Sequence, residues 1–471
     1  MLKLILSTAI LTLMSWSTVF AQGVGANSEV PYGVNVQIDI DKAKAKKSLL
    51  AFPPLQFFGT PATAKNFNAV GGELYRTISN NLIVSTYFQM ISQAAYLEDT
   101  SKLGLRPIPQ EQNGFKFDTW RQIGAEFLIR GGFNLIRDEL TLEIYAYNVK
   151  NGNLVLGKKY NGKADQARRI AHTFSNDLMQ AMTGTRGMFL SRMVFTSDRG
   201  GGGFREVYIM DWDGANIEKL SNHKTVSLSP AVSFDAKKIA YSSMVQMNKT
   251  KQRNTNLFMY DLKSEKRTMI SFRPGINSGA AFIPGSSDMF MTISNNGSPD
   301  IYRIREDGSI VTRITNGPRG AMNVEPAVSP DGKRLAFSSD RSGQPMIYVA
   351  AIDGSNPKRV TFAGRYNATP SWSPDGKRIA FAGWENNHFD IFTMNADGTD
   401  MVRITSARKP NGQWANNEDP SYSPDGRFLA YSSNRTGTYQ IYISNLDGSE
   451  ERRITNDNFN YFKPRWTINI D

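Results

Sequence analysis

The sequence predicts an α/β N-terminal domain followed by an all-β six-bladed β-propeller that is closed by the C-terminal strand. Three observations carry that prediction. First, the unit Pro326-Ala-Val-Ser-Pro-Asp-Gly-Lys-Arg-Leu-Ala-Phe-Ser-Ser339 recurs from Pro370 and Pro420, more weakly from Pro230, degenerately at Gly279–Gly285, and in truncated form from Pro464. Successive starts lie 44 to 50 residues apart, the period of a four-stranded propeller blade. Second, each unit is followed by an Ile-Tyr type strand, usually closing on Asp-Gly, and then by an Arg-Ile-Thr type strand, as in Ile347-Tyr348, Asp353-Gly354 and Arg359-Val360-Thr361. Third, the residues before Gly184 lack the repeat and show helical and strand periodicities together.

Taken in order, residues 1–21 read as a signal peptide. Lys3 provides the positive start, Leu4–Phe20 the apolar stretch, and Val19-Phe20-Ala21 a small-residue site that places cleavage after Ala21. Residues 22–33 form a polar, Gly-rich, flexible segment, and residues 34–184 the α/β domain. Within it, Val34–Ile38 alternates like an edge strand and Leu49–Phe52 reads as a second strand. Val70, Leu74, Ile78 and Leu82 recur every four residues along one helix face. Phe127–Leu135, Leu140–Asn148 and Leu154–Tyr160 form a meander, with Asn151-Gly152 suited to a tight hairpin. A last helix from Asp165 to Met182 carries the stripe Ile170, Phe174, Leu178 and Met182, and Gly184 suits its left-handed end. The propeller occupies 188–471.

Within a blade the Pro-x-Trp-Ser segment is the inner strand A, Leu-Ala-Phe is B, Ile-Tyr is C and Arg-Ile-Thr is D. The order is offset: the first B–C–D set, Val194–Leu220, has no A strand before it, and the last A strand, Arg465–Ile470, has no set after it. Joining the two closes the ring and removes exposed sheet edges.

Composition excludes several chemistries. There is no cysteine, hence no disulfide, thiolate metal site or lipid-accepting Cys, and the only histidines are His172, His223 and His388. The formal net charge of +12 is dispersed, so it favours solubility and acidic partners over nucleic acid. No apolar run after the leader is long enough to cross a bilayer. No Gly-x-Ser-x-Gly and no phosphate-binding Gly-x-x-x-x-Gly-Lys-Ser/Thr occurs. Asp331, Asp375 and Asp425 lie one per blade in Pro-Asp-Gly turns, where an Asp bonds its own backbone. The expectation is a protein without enzymatic activity, cofactor or metal.

Arg168-Arg169-Ile-Ala-His172, the segment Leu178–Met188 and Phe189-Leu-Ser-Arg-Met-Val-Phe-Thr196 together resemble the interdomain segment of the TolB family. The meander and Trp120-Arg-Gln-Ile-Gly-Ala125 resemble its N-terminal domain, so the resemblance covers the mature chain. It implies a periplasmic component of the Tol–Pal system that supports outer-membrane integrity and invagination at division. It implies that the propeller binds the peptidoglycan-associated lipoprotein Pal and that the mature N-terminus binds TolA, with other outer-membrane or Tol proteins as further partners.

Short A–B and C–D turns share one face of a propeller, and the longer, varied D–A and B–C loops share the other, where binding is expected. The family resemblance places Pal at that mouth. The candidate residues are Ile276, Asn277, Ser278 and Gly279, where Ile276 stands in place of a family His, and Asn323, Val324 and Glu325. Trp384 and His388, read as a B–C loop, and Trp414, in the longest D–A loop, add aromatic anchors. Gln22, Val24, Val30 and Tyr32 mark the segment expected to meet TolA. A second reading is a periplasmic propeller that binds or processes a cell-wall saccharide stacked on Trp384 and Trp414.

Overall fold

Apolar stripes four residues apart build the first domain. The computed structural model describes residues 46–60, 66–245, 254–294, 297–318 and 320–470. The expected signal peptide, the segment with Gln22, Val24, Val30 and Tyr32, and the strand at 34–38 lie outside the described residues. The N-terminal domain runs β1 (Ser48–Ala51), β2 (Gln56–Phe57), α1 (Phe67–Val84), β3 (Phe88–Met90), α2 (Phe117–Gln122), β4 (Phe127–Ile136), β5 (Glu139–Asn148), β6 (Leu154–Lys163) and α3 (Ala167–Thr183). Its sheet order is β3-β1-β4-β5-β6, with β2 also on β4. The β1, β2 and β3 contacts are parallel, and β4-β5-β6 is the predicted antiparallel meander. Both predicted helix stripes are buried. Gly184 ends α3 at φ 74°, its N–H donating to the Gln180 carbonyl at 3.0 Å. The β5–β6 turn departs from the expected tight hairpin. Only Gly152 takes a positive φ, and Asn151 instead accepts from Asn153 N–H at 3.0 Å through its side chain.

The propeller has six four-stranded sheets, each paired A-B-C-D in sequence order except the one that closes the ring. That first blade takes its inner strand from Tyr461–Trp466 and its others from Arg192–Ser197, Glu206–Asp211 and Glu218–Lys219. The inner strands of the second to sixth blades are Ser227–Val232, Asn277–Phe282, Asn323–Val328, Tyr366–Trp372 and Asn417–Tyr422.

The motifs have distinct physical tasks. Leu-Ala-Phe and Ile-Tyr put stacked aromatic pairs across strands B and C in five blades, among them Phe195–Tyr208, Phe337–Tyr348 and Tyr431–Tyr442, with planes within 22°. Such cross-strand pairs contribute about 0.2–1 kcal/mol each. Arg-Ile-Thr clasps the outer strands. The Thr hydroxyl accepts from the strand C backbone at 2.9 Å in four blades (Thr315, Thr361, Thr405, Thr455). The Arg reaches back to the Thr carbonyl, and in two blades also to a buried Asp, Arg313 to Asp300 and Arg403 to Asp390. The clasp satisfies polar groups that burial would otherwise penalise.

The N-terminal domain sits on the face of the A–B and C–D turns. Arg427, just past the last Pro-Asp-Gly turn, donates to the Thr86 hydroxyl at 3.0 Å and lies 4.0 Å over the Tyr87 ring. Lys47 pairs with Glu450 at 2.6 Å, and Arg168 with Asp213 at 2.8 Å. Beneath these contacts Leu178, Met179, Phe189, Met193, Trp212 and Trp466 belong to one continuous apolar core. Asn469 ties the joint together, donating to the Gly187 carbonyl at 2.8 Å and accepting from Leu190 N–H at 3.1 Å.

Candidate functional site: the propeller mouth and channel

Docking of the N-terminal domain leaves the opposite face, that of the D–A and B–C loops, uncovered by it. There the central channel opens between the six inner strands. Each inner strand carries the same irregularity: its register against strand B breaks at the inner-strand proline or its equivalent, so two residues oppose one. The residue before that position, Ser229, Gly279, Glu325, Thr369, Asp419 or Lys463, has φ between 49° and 63°. Five of these are not glycine, and such backbone costs free energy that the surrounding sheet must offset. The bulges set these six residues around the channel waist, between a cavity of about 380 Å³ on the N-terminal-domain side and one of about 440 Å³ at the mouth.

Three of the six are charged. Lys463 Nζ lies 3.0 Å from Glu325 and 3.7 Å from Asp419, and Glu325 also accepts from Thr369 N–H at 2.8 Å. Burial alone pushes the Glu325 carboxyl up, but Lys463 beside it, together with the Thr369 N–H and Arg465, outweighs this and holds it below the usual range. Asp419, farther from the ammonium, stays raised by burial. Burial acts to lower Lys463, and Glu325 and Asp419 outweigh it and raise the ammonium. Arg465 is lowered by burial and donates to the Pro420 carbonyl at 3.0 Å. Repeat alignment marks this ring, because its members all precede the inner-strand proline or its equivalent, yet only Gly279 and Glu325 were among the sequence candidates.

The candidates separate into exposed and buried groups. Ile276 is 41% exposed at the end of its loop. Gly279 lies in the third blade's inner strand as expected, but that strand also takes in Asn277 and Ser278 from the expected loop, and the fourth's takes in Asn323, Val324 and Glu325. Asn277 and Asn323 are fully buried: Asn277 fastens Ser271 and the Arg273 carbonyl, and Asn323 donates to Asp300 at 2.8 Å. They hold the loops in place and offer no exposed contact.

Trp384 and His388 also leave the expected loop. Their strands extend to a two-residue turn at Asn386-Asn387, both with positive φ, and Trp384 packs edge-on against Phe389. His388 is buried, with Nε2 2.8 Å from Asp390 and its ring stacked on Trp414 at 4.7 Å and 3°. Arg408 covers Trp414 at 3.6 Å. Trp414 thus stands as a braced, partly exposed ring. Sequence reading missed Phe272, Met322, Phe362 and Tyr366, between 40% and 72% exposed around the same mouth. The signal was present as apolar residues within otherwise polar D–A loops.

The fold and its two-domain order match known proteins. Residues 179–417 and 367–471 match the TolB beta propeller domain, and residues 36–155 the TolB amino-terminal domain. The chain is 31% identical over 282 residues to a protein TolB homolog of Chlorobium luteolum, covering 60% of each. It is 32% identical over 238 residues to the Tol-Pal system protein TolB of Desulfosudis oleivorans, covering 50% of this chain and 51% of that one. The chain therefore spans about half to three-fifths of the length of these relatives. The crystal structure of TolB from Acinetobacter baumannii shares the fold, with a TM-score of 0.73 at 24% identity over 91% of this chain and 98% of that one. With a propeller model that matches more than half of the chain, preceded by the matching amino-terminal domain on the same architecture, the chain belongs to the TolB family.

Proposed function

We propose that this chain is a periplasmic, non-enzymatic component of the Tol–Pal system that binds Pal at the propeller mouth and TolA through its N-terminal segment. In this role it supports outer-membrane integrity and invagination at division. One observation carries the reading: on the face away from the N-terminal domain, Phe272, Ile276, Met322, Phe362, Tyr366 and Trp414 expose apolar surface around a polar, charged channel. Apolar anchors within a polar rim are the arrangement of protein-binding hot spots. The Tol–Pal assignment is supported by the name of the Desulfosudis relative. Among the described residues no helix is long and apolar enough to cross a membrane.

Asn277 and Asn323 act in this reading by shaping the loops, and His388 acts by bracing Trp414. Both rings considered for sugar stacking already have protein neighbours: His388 and Arg408 on Trp414, and Phe389 edge-on to Trp384. The test is calorimetric titration of residues 22–471 with soluble Pal from the same organism. A saturable one-to-one complex, weakened by Ile276→Ser and by Trp414→Ala, is expected. No binding by the correctly folded chain overturns the assignment, and saturable muropeptide binding in its place would install the saccharide reading.

A further inference from the structure

We propose that the joint between the N-terminal domain and the propeller is a divalent-metal site of the zinc class, formed by His172 of α3 with Asp211 and Asp213 of the first blade. This departs from the metal-free expectation drawn from the sequence, where the three residues are far apart and only one is a histidine. The fold unites them. α3 lies across the C–D turn of the first blade, and one ligand atom from each residue falls within 4.8 Å of the other two.

The imidazole gives the site its direction. His172 is 4% exposed, and its Nε2 has no hydrogen-bond partner. A buried ring nitrogen without a partner is costly, and it is the group a metal would satisfy. The other nitrogen, Nδ1, lies 3.0 Å from the side-chain amide of Asn81, whose own Oδ1 is also buried without a partner. Turning that amide over lets Oδ1 accept from Nδ1–H and gives up the 2.9 Å bond that Nδ2 donates to Ser175 Oγ. Nε2 is then left with a free lone pair, and the bond at Nδ1 is the outer hydrogen bond that metal-bound histidines use.

The surrounding charge also fits. Arg168 and Arg192 are shared among Glu73, Asp211, Asp213 and Glu218. Arg76 also pairs with Glu73, and it is exposed. Arg168 already donates to Glu73 at 2.9 Å, so it keeps a partner when an Asp213 oxygen turns to the ion. A carboxylate has lone pairs for both. One imidazole nitrogen and two carboxylate oxygens, with no sulfur, suit Zn²⁺ with a water in the fourth position. Bonds of about 2.1 Å bring tetrahedral ligands to about 3.4 Å apart. Binding therefore draws α3 toward the blade and tightens the joint.

The test uses the full mature chain after chelator treatment. Calorimetry with Zn²⁺ and visible absorption with Co²⁺ as its spectroscopic substitute are expected to show one saturable equivalent per chain. Zn²⁺ is also expected to raise the melting temperature by mass action on the folded state. His172→Gln and Asp211→Asn should each weaken binding at least tenfold, whereas His223→Gln should leave it unchanged. Asp211 is partly exposed, so its isosteric variant keeps the test usable if the buried His172 variant fails to fold. Absence of saturable binding by the folded chain, binding unaltered in both variants, or binding of Mg²⁺ or Ca²⁺ without Zn²⁺ would each overturn the proposal. Pal titration reads the opposite face, so its failure and this one are distinguishable.

Discussion

Replacing Lys463 with Met tests how the channel waist is held. The ammonium is the shared counter-ion of Glu325 at 3.0 Å and Asp419 at 3.7 Å. Removing one partner of a fully buried ion pair costs about 3–5 kcal/mol. These side chains line an open channel, with Lys463 23% and Glu325 27% exposed, so the expected loss is discounted to about 2 kcal/mol. For a domain of this size that is a fall of about 3–4 °C in melting temperature at neutral pH. The sign with pH follows from the carboxyls. In the native chain Glu325 is held low, so its contribution is present above the unfolded carboxyl pKa and lost as pH falls through the folded one. Without Lys463 the largest opposition to burial is gone and only Arg465 and backbone N–H groups remain, so both carboxyls move upward. A raised folded pKa gives stability that is full at low pH and lost as pH rises through it. The deficit of Lys463→Met should therefore be largest near pH 8 and shrink toward pH 5. Thermal melts of both chains at matched scan rates from pH 5 to 8 measure it. A deficit under about 0.5 kcal/mol, or one that does not change with pH, would refute the reasoning.

Other outcomes follow from the blades and the joint. Gly308→Ala should cost about 2–3 kcal/mol, because φ there is 82° and a Cβ would meet the Ile270 carbonyl of the neighbouring blade; a melt within 1 °C of the parent would contradict this. Arg168→Met removes the guanidinium paired with Asp213 and leaves Glu73 with Arg76 alone as its ion-pair partner, so limited proteolysis should cut the segment 184–187 several-fold faster, while Pal affinity stays within twofold. Trp414→Ala, which also uncovers His388, should weaken Pal binding at least tenfold by calorimetry, or about 1.4 kcal/mol, with the melting temperature lowered by only a few degrees.

The sequence made the repeat legible because each blade reuses the same turn and the same packed pair. Six inner strands against six outer sets were enough to place the closure in the first blade. The helix stripes at Val70–Leu82 and Ile170–Met182 were legible for the same reason, as periodicity reports burial. Short elements were not: β2, β3 and α2 have two, three and six residues, too few to show a period. Loop boundaries also failed, since strand pairing continues beyond the apolar core. Asn277 and Asn323 are polar yet paired and buried, and Asn386-Asn387 turns a strand back where a loop was expected. The Asp-Gly turns were read as turn chemistry alone. Their glycines also allow contact with the adjoining blade, a tertiary requirement that no single repeat displays.

The closing strand gives the molecule a temporal order. Tyr461–Trp466 pairs with Arg192–Ser197, and Asn469 fastens the same end to the segment that leads out of α3. The inner strand of the first blade is thus synthesised after every strand of the other five. Without it the sheet of the first blade ends on the unpaired edge of Arg192–Ser197, and the N-terminal domain lacks the Asn469 contacts of its seat. Ring closure and part of the domain seating therefore share one short segment, Tyr461–Trp466 and its extension to Asn469.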